Sequence, residues 1–96
     1  MSVYVDTMKA SFRGMVMCHM LADTHQELLE MADNIGMARK WIQHAMSEKE
    51  HFDIPEKKRA LALSCGAKEI SRRDVVRLIR RKRALAAAAL SIQKTG

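Results

Sequence analysis

The chain has 96 residues, room for one domain with a small core. Its 48% hydrophobic content excludes a disordered tail, and no apolar run nears the roughly 18 residues of a membrane span. Seventeen basic residues against eleven acidic ones give a net charge of +6, all of it in residues 72–83, where seven basic side chains face one acid, Asp74.

Residues 2–6, Ser-Val-Tyr-Val-Asp, have the β-branched and aromatic content of a short strand. Residues 9–14 predict a loop turning at Arg13-Gly14. Residues 15–21 are apolar on both parities, which predicts a strand buried on both faces; a buried helix is the alternative. Thr24-x-x-Glu27 then opens a helix as a capping box, with Leu28, Met31, Ala32 and Ile35 at helical spacing and Gly36 as its stop. Residues 38–42 predict a short strand or a further helical turn, and residues 43–50 a polar loop.

Asp53-x-x-Glu56 reads as a second capping box, with Pro55 in the first turn of a helix over residues 54–65 that ends at Gly66. Residues 68–70 predict a brief strand. Ser71-x-x-Asp74 is a third capping box. It opens a last helix that the alanine run at residues 86–89 extends to about Leu90. The order predicts a small α/β domain, a short, partly parallel sheet with about three helices, or a mostly α fold if residues 15–21 are helical. Five residues separate the last two helices. That is longer than a helix-turn-helix linker.

Four polar residues stand out. His19 interrupts an apolar run, Asp23 follows where the run ends, and His51-x-Asp53 precedes the second predicted helix. Asp6 ends the first strand and, were that strand parallel to the next, would reach the same edge, where helix N-termini favour anions. Imidazoles and carboxylates together hold a divalent metal or act as general acid and base. His19, Asp23, His51 and Asp53 are therefore candidate catalytic residues and, with Asp6, candidate metal ligands. Capping alone also accounts for Asp23 and Asp53, and a histidine in an apolar strand is commonly a hydrogen-bonded core residue. Cys18 and Cys65 read as small hydrophobes, and the methionines as core filling or as an adaptable partner surface. Two cysteines without C-x-x-C spacing, and a start lacking the regions of a signal peptide, point to the cytoplasm.

The basic segment is the second candidate site. At about 100° per residue, Arg73, Arg77, Arg80 and Arg81 share one helix face, while Val75, Val76, Leu78 and Ile79 take the other. Lys82 and Arg83 lie nearer the apolar side, and Arg72 begins the run. Such a stripe suits phosphate contacts to nucleic acid, or else an acidic protein partner or plain solvent. Aromatic residues for base stacking are distant in sequence, and no bulky apolar anchor suits a membrane surface. A homodimer would bury part of the apolar surface.

Several motifs together resemble a domain-of-unknown-function family of bacteria and tailed phages. They are Val3-Tyr4-Val5-Asp6, Cys18-His19-Met20-x-Ala22-Asp23-Thr24 with Glu27-Leu28, Gly36, His51-Phe52-Asp53-Ile54, Lys58-Arg59-Ala60 and Gly66-Ala67. The resemblance runs to about Arg83, leaving residues 84–96 as an alanine-rich helical extension. It implies a compact intracellular domain, bacterial or phage-encoded, with His19, Asp23, His51 and Asp53 as one constellation. It implies no activity. The first expectation is an accessory protein that binds nucleic acid through residues 72–83. The alternatives are a hydrolase of a phosphate-containing substrate, using the His/Asp cluster with or without a divalent metal, and a small inhibitor or adaptor docking on another protein.

Overall fold

The computed structural model describes residues 2–7, 10–12 and 14–95, with side chains given except at 10–12 and 92–95. The elements in chain order are β1 (Val3–Asp6), β2 (Ala10–Phe12), β3 (Met15–Ala22), α1 (His25–Asn34), a 3-10 turn (Arg39–Trp41), β4 (Phe52–Pro55), α2 (Glu56–Ser64), β5 (Lys68–Ile70) and α3 (Arg72–Thr95). The fold is α/β. Among the described residues no helix is long and apolar enough to cross a membrane.

β3 is the central strand. Met20 pairs with Val5 of β1 and with Phe52 of β4, and Met17 pairs with Ala10 of β2 and with Pro55 of β4. β1 and β2 therefore lie along one edge of β3, and β4 along the other. These three pairings are antiparallel; β5, beside β1, adds the one parallel pairing among the described residues. Residues 10–12, expected in a loop, are instead a strand, because they continue the edge that β1 begins. Residues 8, 9 and 13, the predicted Arg13 turn position among them, lie outside the described residues.

Strand alternation divides the sheet into two unlike faces. One carries Val3, Val5, Cys18, Met20, Ala22, Phe52 and Ile54, which pack against Leu28, Met31 and Ala32 of α1 and Ala62 of α2 to form the core. The other carries Tyr4, Asp6, His19 and Leu21 and lies under α3, whose Leu78 is 5% exposed. Residues 15–21 are thus a strand, but its second face is half polar. The apolar parity of the run comes from α3 covering Leu21.

α1 begins at Thr24, whose Oγ1 accepts from Glu27 N–H at 3.2 Å and donates to the Glu27 carboxylate at 2.7 Å. It ends at Gly36, which takes a φ of 74° that a side chain would strain. The Lys58 ammonium of α2 donates to the carbonyls of Ile35 and Gly36, the C-cap of α1 and the residue after it, and so ties the two helices together. The third capping box forms as expected: Ser71 Oγ accepts from Asp74 N–H, and Asp74 accepts from Ser71 N–H. The second does not. α2 starts at Glu56 with Pro55 as its N-cap and no side-chain cap. Residues 52–55, Asp53 included, go to β4, because Phe52 and Ile54 are fully buried against β3 and that burial outweighs a local capping preference.

α3 outruns the expected end near Leu90 and reaches Thr95. Beside the buried Leu78, polar contacts tether it: Arg81 to Asp23 at 2.6 Å, Lys82 to the Ala22 carbonyl at 3.0 Å and, on the loop before β4, Arg83 to Glu48 at 3.0 Å. Asp23 also accepts from Ser2 N–H and from the Tyr4 hydroxyl. Its role is this junction. The helix cap is Thr24.

Candidate metal centre

The antiparallel register assembles the site. His19 stands opposite Asp53 in the β3–β4 ladder. Carrying the β1–β3 register one residue past Val5 and Met20 sets Asp6 beside His19. Asp6, His19 and Asp53 thus form a row across three strands on one face, with neighbouring strands about 4.8 Å apart. His51 lies two residues before Asp53, so alternation brings it to the same face. Reciprocal backbone hydrogen bonds with Gln43, 2.9 and 3.1 Å, fix its position.

The hydrogen bonds behind the two imidazoles set what each can offer. Asp6 is 1% exposed, and its two carboxylate oxygens both accept from His19, Oδ1 from the backbone N–H at 2.9 Å and Oδ2 from ring Nδ1 at 2.8 Å. The carboxylate has no hydrogen to give, so Nδ1 carries it and the neutral ring keeps a lone pair on Nε2. His51 reaches the same state through a different acceptor: its Nδ1 donates to the Lys49 carbonyl at 2.9 Å. Both Nε2 atoms lie 3.5 Å from a single oxygen, Asp53 Oδ1. The three atoms lie within 4.8 Å of one another. The other Asp53 oxygen accepts from the Gln43 side chain, which holds the carboxylate in this orientation.

That spacing has a chemical meaning. A separation of 3.5 Å is too long for a good hydrogen bond. Donor atoms bound at about 2.1 Å to a tetrahedral ion are themselves about 3.4 Å apart. Two bare imidazole nitrogens, each at that distance from one carboxylate oxygen and within 4.8 Å of each other, can share one divalent ion, and the N/N/O set suits zinc, manganese, iron or cobalt more than calcium or magnesium. A ligating histidine braced by a carboxylate or a carbonyl is the arrangement that holds tautomer and ring angle in metalloproteins. Three protein ligands leave at least one coordination position for water or substrate.

Beside the triad opens a cleft of about 190 Å³, lined by His19, Leu21, His44, Lys49, His51, Val75 and Ile79. Its walls come from β3, the loop before β4, and α3. His44 sits in it at a φ of 55°, a conformation uncommon outside glycine, with its ring centroid 5.9 Å from that of His51. Cys18 neighbours His19 in sequence but faces the core, where burial, reinforced by Asp6, pushes its thiol up to about 11. It has no thiolate to contribute at neutral pH.

The chain matches, over residues 3–92, a family model described as "Protein of unknown function (DUF4031)". It belongs to that family. No curated protein and no solved structure matches it. The family match runs on through the alanine-rich segment to residue 92.

Of the residues singled out in the sequence, the fold brings together His19, His51 and Asp53, with Asp6 directly behind His19. Asp23 is engaged elsewhere, with Ser2, Tyr4 and Arg81. The expectation that Asp6 and Asp23 share one edge fails because β1 and β3 are antiparallel, so their carboxyl ends point in opposite directions. His51 and Asp53 sit at a strand, not at a helix N-terminus. Gln43, His44 and the Lys49 carbonyl went unnoticed, lying in a stretch that reads only as polar loop. The His51-x-Asp53 spacing did carry a signal, since alternate residues of a strand share a face.

Along α3, four of the seven basic groups meet acceptors within the chain: Arg77 with Asp74, Arg81 with Asp23, Lys82 with the Ala22 carbonyl and Arg83 with Glu48. Arg72, Arg73 and Arg80 are exposed and have no such acceptor among the described residues.

Proposed function

We propose that this protein is a divalent-metal-dependent hydrolase of a phosphate ester, with His19, His51 and Asp53 as ligands and Asp6, Gln43 and the Lys49 carbonyl as the groups that orient them. The observation that carries the reading is the pair of Nε2 atoms, each bared by a held Nδ1–H, meeting one carboxylate oxygen at coordination-shell distance. A bound ion of this class lowers the pKa of its water and polarises a phosphoryl oxygen. Nitrogen and carboxylate donors of this kind also serve iron–oxygen chemistry. Lys49 in the cleft, and the basic residues of the helix whose Val75 and Ile79 form its wall, favour a phosphorylated substrate here.

Metal-stripped protein titrated with zinc, manganese and cobalt should bind one ion per chain. His51→Ala and Asp53→Ala should each weaken binding at least tenfold while the circular dichroism spectrum is retained. The loaded protein should hydrolyse bis(p-nitrophenyl) phosphate. Stoichiometric binding that both substitutions leave unchanged would place the ion elsewhere and sink the reading.

Nucleic-acid binding through α3 without catalysis is the second reading, favoured by the three exposed arginines. An adaptor role finds its support in Val76, Leu85 and Leu90, which are 48%, 64% and 57% exposed on the same helix.

A further inference from the structure

The wall of the metal cleft and the basic helix are the same element. Val75 and Ile79 of α3 line the cleft, and Arg72 lies on their stripe, one turn before Val75. At about 100° per residue, Arg72 is about 20° from Ile79 around the helix, and Arg80 and Arg73 follow on the outer flank. Arg72 thus lies on the cleft side of the helix, with Arg80 and Arg73 about 100–120° around from Ile79 toward solvent. Lys49 lines the opposite wall. The net charge of +6 of the whole chain is concentrated in this helix.

The cleft is too small to enclose its substrate. Sites that bury a small ligand run to about 300–1,000 Å³, against about 190 Å³ here. A free nucleotide would have its base and sugar largely in solvent: among the described residues no tryptophan, tyrosine or phenylalanine lines the cleft, and the exposed Trp41 lies outside it. Phe52 is fully buried, and the Tyr4 hydroxyl is bonded to Asp23. What the surface does offer is a row of cations leading away from the reacting centre, and that suits a substrate that continues beyond the scissile bond.

Resting on the hydrolase reading above, we propose that the substrate is a polynucleotide, its backbone held by Arg72, Arg73, Arg80 and Lys49 while one phosphodiester lies at His19, His51 and Asp53. From Arg72 to Arg80 the helix rises about 12 Å, the length of about three phosphates along a duplex strand. Without base-edge or stacking contacts, recognition is of the backbone and indifferent to sequence. In the reaction a water oxygen forms a bond to phosphorus and one P–O ester bond breaks. One water proton is released to a base or to solvent, and the departing alkoxide takes up a proton. The products are a phosphomonoester end and a hydroxyl end.

The test compares two diesters on the metal-loaded full chain. One is bis(p-nitrophenyl) phosphate, and the other is a set of end-labelled oligonucleotides: single-stranded and duplex DNA, and single-stranded RNA. Cleavage of at least one oligonucleotide, independent of its sequence, is expected, and the arm that is cut identifies the backbone. Binding should weaken with salt at a log–log slope of about −2 to −4, reduced by about 2–3 in the Arg72→Gln/Arg73→Gln/Arg80→Gln variant. In that variant oligonucleotide cleavage should fall at least tenfold more than hydrolysis of the small diester. Hydrolysis of the small diester with no oligonucleotide cut, or an equal fall on both, overturns the polynucleotide assignment and leaves the hydrolase reading standing. Turnover of neither substrate overturns both.

Discussion

Replacing Asp6 with asparagine changes one atom that matters to the proposed metal site. In the native site both carboxylate oxygens accept, one from His19 N–H and one from His19 Nδ1–H. An amide keeps one acceptor and adds a donor. If its oxygen stays with the backbone N–H, the NH₂ group faces Nδ1, and the ring must turn acceptor there and carry its hydrogen on Nε2. That hydrogen occupies the lone pair that the proposed ion would take. If the amide flips, its NH₂ group meets the backbone N–H, and a buried donor is left unsatisfied at about 1–3 kcal/mol. Removing a group that orients a ligating histidine costs about 10–100-fold in metal affinity, or about 1.4–2.7 kcal/mol. The Asp6→Asn change should reach the upper end, because it opposes the required tautomer and does not merely loosen it. Calorimetric titration of zinc or cobalt into wild type and variant measures the difference, and denaturation of the metal-free proteins separates it from stability. A folded variant that binds metal as tightly as wild type would refute the argument that Asp6 sets the tautomer of His19.

Other consequences can be checked independently. Leu78 is the buried contact of α3, and Leu78→Ala should cost about 2–5 kcal/mol in urea denaturation; a loss below 1 kcal/mol would mean that polar contacts alone hold the helix. Burial lowers the pKa of Lys82 from its ordinary 10.5, so between the lowered value and 10.5 the unfolded chain holds more protons than the folded one. Stability of wild type relative to Lys82→Met should therefore rise with pH in the window just below 10.5, as denaturation at stepped pH reads out. Cys65 is exposed and Cys18 is buried with its thiol at about 11, so a thiol reagent at pH 8 should label one cysteine in the native protein and two after unfolding.

Much of the fold was legible because its signals are local. Thr24 with Glu27 and Gly36 bracket α1, Gly66 ends α2, and Ser71 with Asp74 starts α3, all through signals within a few residues. The misreadings share one cause: a short-range motif was overruled by pairing at a distance. Asp53-x-x-Glu56 has the spacing of a capping box, yet Ile54 opposite Cys18 and Phe52 opposite Met20 complete the core. Two fully buried apolar side chains contribute roughly 1.5–3 kcal/mol each, against about 1 kcal/mol for a cap. β2 escaped for a related reason. Only its place beyond β1 on the edge of β3 makes a strand of residues 10–12.

The site shows the same division between what is local and what is assembled. His19 was conspicuous as the one basic group in an apolar run, and His51-x-Asp53 already had the alternation that puts both side chains on one face. Which acid joins them and which stands behind could not be read without the register. With β1 antiparallel to β3, Asp6 is drawn to His19, and Asp23, equally acidic and nearer to His19 in sequence, is carried past it to Tyr4 and Arg81. The same register explains why the basic helix lies over the face that carries His19. The face of β3 that carries His19 also carries Leu21, buried to 2% exposure, and something has to cover it. α3 lies there, with Val75 and Ile79 lining the same cleft as Leu21, and Arg72 sits on that stripe one turn before Val75. The two features that looked like rival functions in the sequence become neighbours because a strand that is polar at one position and apolar two residues later needs a helix on top of it.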